Sequence, residues 1–425
     1  EQARKQAEEE RRRIDEEIRI NKEKLRELTE EEHTIIMSSE EFSSFIERSS
    51  RQIERALDED YDFMTDYSLA AAGGDADDSV RERIKLERAF FFERLTKGRS
   101  VTDVCWSPKF AELFASAYNS NPRAPNDPDG VVAVWNVHLH DRPEFVFHSQ
   151  SDVLRVTFLE FNPNLLIGGS YSGQILLWDT RAKPQPVLKT PLTAGGHTHP
   201  IYSLKVVGTR NAHQLISAST DGLVCTWQFD MLSQPQEVLE LSNPNHGRTD
   251  EVAVTALDFP DGETVGFLIG TEEGKMYQAN RYDRAGSKTG LNPHDIYTGH
   301  TAPITSLHFH PPTGSTDFSD LYLTSSIDWT TKLWRARPVA KPSSTSLNEI
   351  HPIHSFEYFD DYVYDAKWSP THPAVFGTVD GSGRFGLWNL NLDTEVPSYS
   401  VTAPNGRSLN RLAWNTTGRR VAAGS

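Results

Sequence analysis

The chain has 425 residues, 60 acidic against 43 basic side chains, and a net charge of −17. That charge argues against nucleic acid as the main partner, since phosphate recognition needs a basic surface, and no run is long or apolar enough for membrane insertion. A hydrophobic content of 37% with nine Trp can fill one large repeat domain, with length left over for an arm. The balance suits a soluble subunit of a larger assembly.

The start, EQARKQAEEERRR, has no apolar signal region and lacks Met, so the native start need not be Glu1. Residues 1–33 are dominated by Glu, Arg and Lys, with Ile14, Ile18, Ile20 and Leu25 the few large apolar side chains. Glu8 and Arg12, four apart, support a helix, while Glu23 and Glu27 oppose it. Apolar heptads are too thin for a coiled coil. The expectation is a charged helical or disordered arm.

Residues 34–58 read as an amphipathic helix. Ser38-Ser39-Glu40-Glu41 fits a capping box. Behind it Phe42, Phe45, Ile46, Ile53 and Leu57 recur at helical spacing, and Glu47, Arg48, Arg51 and Glu54 occupy the other face. Such a stripe needs cover, from its own domain or from a partner. A charged arm before it and a polar linker after it favour a partner, captured helix-in-groove.

Residues 59–86 turn small, acidic and Gly-containing (YSLAAAGGDADDS), a flexible linker and lead-in. Phe90-Phe91-Phe92 then reads as a strand or core plug on the first repeat. From residue 87 to 425 one phrase recurs: an alternating strand stopped by Pro or Gly, a second strand, a tight turn, and a third strand closing on Trp. Its openings are VTDVCWSP (101–108) and runs starting at Val153, Ile201, Val254, Ile304, Val363 and Leu409. Its closes are Trp135, Trp178, Trp227, Ala279 where Trp is expected, Trp334 and Trp388. In the fifth copy Gly299-His300 leads in and Asp328 stands six residues before Trp334, the WD-repeat signature. The expected fold is therefore all-β, a seven-bladed WD-repeat β-propeller. Its last blade is incomplete, because the seventh opening runs to Ser425 without a closing Trp and would leave a sheet edge bare. Insertions at 119–128, 234–250, 282–293 and 337–352 are candidate recognition loops.

Two constellations invite a catalytic reading: His197, Ser219, Asp221 and Trp227, and His300, Ser326, Asp328 and Trp334. A nucleophilic triad needs an exposed serine beside an oxyanion hole. Here the same set recurs at matching spacing and is locked to a Trp, which marks a structural network that satisfies polar groups inside a blade. His197 with His199, and His308 with His310, lack a carboxylate or cysteine at ligand spacing, so no metal site is expected. Gly168-Gly169 and Asp380-Gly-Ser-Gly383 do not open helices and so fail as phosphate loops. Cys105 and Cys225 sit on strand patterns of different repeats and read as reduced, buried thiols. No catalytic residue, cofactor or enzyme activity is expected.

Several phrases go beyond generic WD repeats, among them LTEEEHTIIMSSEEF (28–42), HTHPIYSLKVVGTRNAH (197–213), SSIDWTTKLW (325–334) and YVYDAKWSPTHPAVF (362–376). From about residue 26 onward the chain resembles the cytoplasmic dynein intermediate chain family. The resemblance implies a non-catalytic scaffold in the cytoplasm, associated with the microtubule cytoskeleton and supporting minus-end-directed transport and cargo attachment. In that family the propeller binds the dynein heavy-chain tail. The preceding segment recruits light chains that pair two intermediate chains, and the stripe Phe42, Phe45, Ile46, Ile53, Leu57 falls where a roadblock-type light chain binds. The family's sites for its other light chains and for dynactin lie upstream of anything matched here, so those partners are not carried over. A generic WD-repeat adaptor of another complex, or an axonemal dynein intermediate chain, are the competing readings.

Overall fold

The computed structural model describes residue 16, residues 29–58 (side chains to 54) and residues 86–139, 141–193, 195–243, 252–283, 289–314, 316–336 and 348–425. Of the arm expected over 1–33, residues 1–28 lie outside the described residues, residue 16 apart, which is helical, and so do residues 59–85 of the linker and lead-in expected over 59–86. The chain divides into two compact units, Glu1–Thr65 and Asp66–Ser425.

Among the described residues, the first unit carries helices α1 (Glu30–Met37) and α2 (Glu40–Asp58), so the expected helix from residue 34 is broken at Ser38 and Ser39. The reason is local. Ser38 Oγ donates to Ile35 O at 3.0 Å and Ser39 Oγ to Ile36 O at 2.7 Å, satisfying carbonyls that a continuing helix would use. The capping box belongs to α1: Thr29 Oγ1 accepts from Glu32 N at 3.5 Å and Glu32 Oε2 accepts from Thr29 N at 3.2 Å. In place of the expected box on Ser38, Ser39 Oγ starts α2 by accepting from Phe42 N at 3.3 Å.

The second unit is a ring of six blades, each an antiparallel sheet of four strands in order from inner to outer. The first strands are Val101–Trp106, Val153–Phe158, Ile201–Thr209, Val254–Asp258, Ile304–Phe309 and Val363–Trp368. Period-two alternation makes them strands, and the tight turn between second and third strands is closed by a glycine with positive φ in blades two, three, four and six (Gly173, Gly222, Gly274, Gly383). Blade four gains a fifth strand, Asn348–Ile350, which pairs parallel with its outer strand Gly290–Tyr297. That strand comes from the 337–352 insertion of blade five, and it covers an edge that would otherwise stand open.

The core lies between neighbouring blades. Trp135, Trp178, Trp227, Trp334 and Trp388 are fully buried, each removing on the order of 5 kcal/mol of apolar surface from water. Where blade four has Ala279, the space is filled by Tyr277, Phe259 and Phe267, the two phenylalanines with ring centroids 5.1 Å apart.

First strands are also tied to one another. Asp103 Oδ2 accepts from Val156 N of the next blade at 2.9 Å, Ser203 Oγ from Leu257 N at 3.1 Å, Asp258 Oδ2 from Phe309 N at 2.9 Å and His308 Nδ1 from Trp368 N at 3.2 Å. The seventh opening, expected as an incomplete blade, forms a two-stranded sheet, Arg411–Trp414 with Val421–Gly424. It joins blade six through Leu412 N to Asp365 Oδ2 at 3.0 Å and Trp414 Nε1 to Lys367 O at 3.0 Å. On its other side, Trp106 Nε1 donates to Ala413 O and Val101 N to Ser425 O, both at 3.0 Å. Phe90 and Phe92 pack against the blade-one cluster that includes Ala413 and Ala422, with Phe90 5.0 Å from Phe114 and 5.7 Å from Trp135, whereas Phe91 is exposed. The lead-in is thus a plug at the seam of the ring.

Candidate functional site

Two sets of residues were singled out by pattern, and the structure treats them differently. On α2, Phe42 is half-buried, while Phe45 is 63%, Ile46 47% and Ile53 58% exposed. The Leu57 side chain lies outside the described residues. Arg51 pairs with Glu47 one turn back on the polar face, worth a few tenths of a kcal/mol. Phe45, Ile46 and Ile53 thus leave apolar surface exposed on one face of the helix, and contiguous exposed apolar surface of this kind marks an interaction site. Ile35, Ile36 and Met37 on α1 are exposed as well, at 68%, 42% and 55%. Pattern reading missed them because α1 is too short for its period to show.

The blade networks are buried and fully engaged. In blade three His197 Nε2 lies 2.7 Å from Ser217 Oγ, which also accepts from Trp227 Nε1 at 2.8 Å, and His197 Nδ1 faces Asp221 at 3.4 Å. In blade five His300 Nε2 lies 2.7 Å from Thr324 Oγ1, Trp334 Nε1 donates to the same hydroxyl at 2.8 Å, and His300 Nδ1 meets Asp328 Oδ2 at 2.8 Å. The hydroxyls that meet the indoles are therefore Ser217 and Thr324, while the expected Ser219 and Ser326 join the same networks at the turn, accepting from Asp221 N at 3.5 Å and Asp328 N at 3.2 Å. Both candidates in each pair are on the same side of the strand. Only the one two residues deeper reaches the indole, while Ser326 instead bonds the lead-in carbonyls of Ala302 and Pro303 at 3.0 and 2.9 Å. The same hydroxyl-to-indole bond recurs without histidine in blades one (Ser116 to Trp135, 2.8 Å) and six (Thr378 to Trp388, 3.1 Å).

Electrostatics agree with a structural role. Burial lowers the His300 pKa against the pull of Asp328, keeping the ring neutral. Burial would raise Asp328, but hydrogen bonds from the His300 ring, the Thr330 hydroxyl and the Thr301 amide hold it down to about 2. The two hydroxyls beside these imidazoles, Ser217 and Thr324, have no exposed surface and already accept from an indole N–H, whereas a nucleophile must be open to its substrate. Cys225 is buried and its thiol is pushed up to about 12, chiefly by desolvation, and Cys105 is raised for the same reason; both are free thiols. Among the described residues no group of three or more His, Cys, Asp or Glu is placed to hold a metal ion, and no helix is long and apolar enough to cross a membrane. A shallow depression of about 350 Å³ on blades two and three is lined by Leu188, Lys189, Pro191, Asp230, Met231, Leu232 and Ser233, a set with no base or nucleophile pair.

Comparison with known proteins accords with these features. Residues 291–335, the fifth repeat and its approach, match the family model described as WD domain, G-beta repeat. Over 417 residues, 97% of this chain, the sequence is 46% identical to the cytoplasmic dynein 1 intermediate chain of Drosophila melanogaster. The match spans 59% of that protein's length. A fold of WD blades and an identity that runs over nearly the whole of this chain make it similar to the dynein intermediate chains.

Proposed function

We propose that this chain is a scaffold subunit of cytoplasmic dynein, acting in the cytoplasm on microtubules. In this reading the propeller (87–425) docks on the heavy-chain tail, and the helix within 34–58 recruits a roadblock-type light chain that pairs two copies of the chain. The observation that carries it is the exposed apolar face of α2, Phe45, Ile46 and Ile53, inside a region covered by the 46% identity. A solvated helix with that much apolar surface is one half of an interface.

The test is co-purification of residues 1–425 with a heavy-chain tail fragment and a roadblock-type light chain. The wild-type chain should retain both. Replacing Phe42, Phe45 and Ile46 by Ala should abolish light-chain capture while the propeller's thermal unfolding and heavy-chain binding stay as they were. A lost light chain accompanied by a drop of several degrees in propeller melting would refute the partner role of the stripe. Failure of the wild-type chain to retain the heavy chain would refute the motor assignment.

A further inference from the structure

Five of the six blades join their second and third strands by a tight turn of the same length, and four of the five follow one rule. In blades two, three, four and six the turn's last residue is glycine, at φ +81°, +76°, +82° and +80°. In blade five that position is Trp329, at φ +66°, and no other non-glycine residue among those described has positive φ. Left-handed backbone strains any side chain with a Cβ, and a bulky aromatic more than most. The indole gains no core burial in return, since Trp329 is 49% exposed. A local rule broken without a folding benefit is the mark of a functional position.

The neighbourhood says what the indole is for. At the four glycines a Cβ would meet the backbone of the next blade's lead-in, for instance His197 O at 2.5 Å from Gly173 and Arg407 O at 2.4 Å from Gly383. The corresponding lead-in beside Trp329 is the approach to blade six, whose Phe359 and Val363 share a core cluster with Leu323 of blade five. That lead-in reads Glu357-Tyr358-Phe359-Asp360-Asp361-Tyr362. Phe359 is its buried anchor, Tyr358 and Tyr362 are 40% and 43% exposed, and Glu357 and Asp360 are exposed. Among the described residues, Arg384 pairs with Asp360 at 2.7 Å. By equivalence with those turns, Trp329 lies at the same end of neighbouring blades as this lead-in, which carries two half-exposed tyrosines and a run of acids.

We infer that Trp329 and the acidic, tyrosine-bearing lead-in of blade six form a docking corner for an arginine-bearing segment of the heavy-chain tail, an inference that rests on the function proposed above. Aromatic faces attract a cation through their quadrupole. A guanidinium stacks on such a face while its fork pairs a carboxylate, which an ammonium does less well. A large exposed Trp in a rigid turn is the kind of anchor that dominates an interface.

The experiment measures binding of the full chain to a purified heavy-chain tail fragment, with light-chain binding and thermal unfolding as controls. Trp329→Gly restores the residue that four other blades use. It should melt at or above the wild-type temperature and keep the light chain, yet bind the tail at least tenfold more weakly, and Trp329→Tyr should recover much of the loss. Tail affinity of the wild type should fall steeply with added KCl, and Asp360→Asn with Asp361→Asn should flatten that dependence. If Trp329→Gly binds the tail within twofold of wild type, or if the wild-type affinity ignores salt, the corner is not the docking site even though the chain remains a dynein subunit. If the wild-type chain does not bind the tail at all, it is the proposed function that fails.

Discussion

Thr324→Val is the sharpest test of how a blade is held. Valine keeps the shape and removes one oxygen, which in the native blade serves two buried groups, His300 Nε2 at 2.7 Å and Trp334 Nε1 at 2.8 Å. Thr324 and Trp334 have no exposed surface and His300 has 7%, so water cannot substitute. Leaving a buried polar group unmatched costs about 1–3 kcal/mol; two such groups, less the small gain from burying a methyl, come to about 3 kcal/mol. At ~2.1 cal/mol/K per residue, a unit the size of Asp66–Ser425 should then melt about 4 °C lower. Asp328→Asn acts on the same ring through His300 Nδ1, so the two losses should be less than additive, by roughly 1 kcal/mol in a double-mutant cycle. Circular dichroism melts of the two single variants and the double variant suffice. A Thr324→Val protein within 0.5 kcal/mol of wild type, or strict additivity with Asp328→Asn, would refute the network.

Stability should fall on acidification. His300 and His308 are both lowered by burial, His308 to about 3 with Lys367 and Lys205 nearby opposing Asp258 and Asp365, so each is neutral when folded and binds a proton when unfolded. Their contribution is complete above about pH 6.5 and is lost on acidification below it, for His308 as pH drops towards 3. Asp328, held at about 2, adds a loss below about pH 4. His308 is half-buried, and its Nδ1 accepts the Trp368 amide. His308→Gln should accordingly flatten the stability slope, by up to ~1.4 kcal/mol per pH unit between pH 6 and 4, in urea titrations at stepped pH. At the seam, Phe90→Ala should cost about 2 kcal/mol through lost contact with Phe114 and Trp135, whereas Phe91→Ala, whose ring is exposed, should stay within 0.5 kcal/mol by the same melts.

The propeller was legible because its signals are local. Alternation marks each first strand, a stop residue ends it, and a Gly turn precedes a Trp. What escaped depends on depth and direction, which a string of letters does not carry. Ser217 and Ser219 share one side of a strand, and only the fold shows which of them lies under Trp227. Ser38 and Ser39 were readable as a helix start, but not as hydroxyls that first close the preceding helix on Ile35 and Ile36. The 337–352 insertion was recognised as an insertion, yet nothing local says that Asn348–Ile350 pairs with blade four. Trp329 is the opposite case. It stands in plain alignment with Gly173, Gly222, Gly274 and Gly383, but its meaning emerged only when its backbone angle was known.

The bonds across the seam have a consequence for how the ring comes into being. Asp103 and Val156, which link blades one and two, are 53 residues apart, whereas Trp106 and Ala413 are 307 apart. Loop-closure entropy grows only with the logarithm of separation, so the seam costs about 1.5 kcal/mol more to bring together than a junction between successive blades. That is a modest thermodynamic surcharge but a long kinetic search. Blades should therefore accumulate as an open arc, with one latch event converting the arc to a circle. A subunit whose binding surfaces lie on that circle would become competent for assembly at that step, and not gradually as each blade forms.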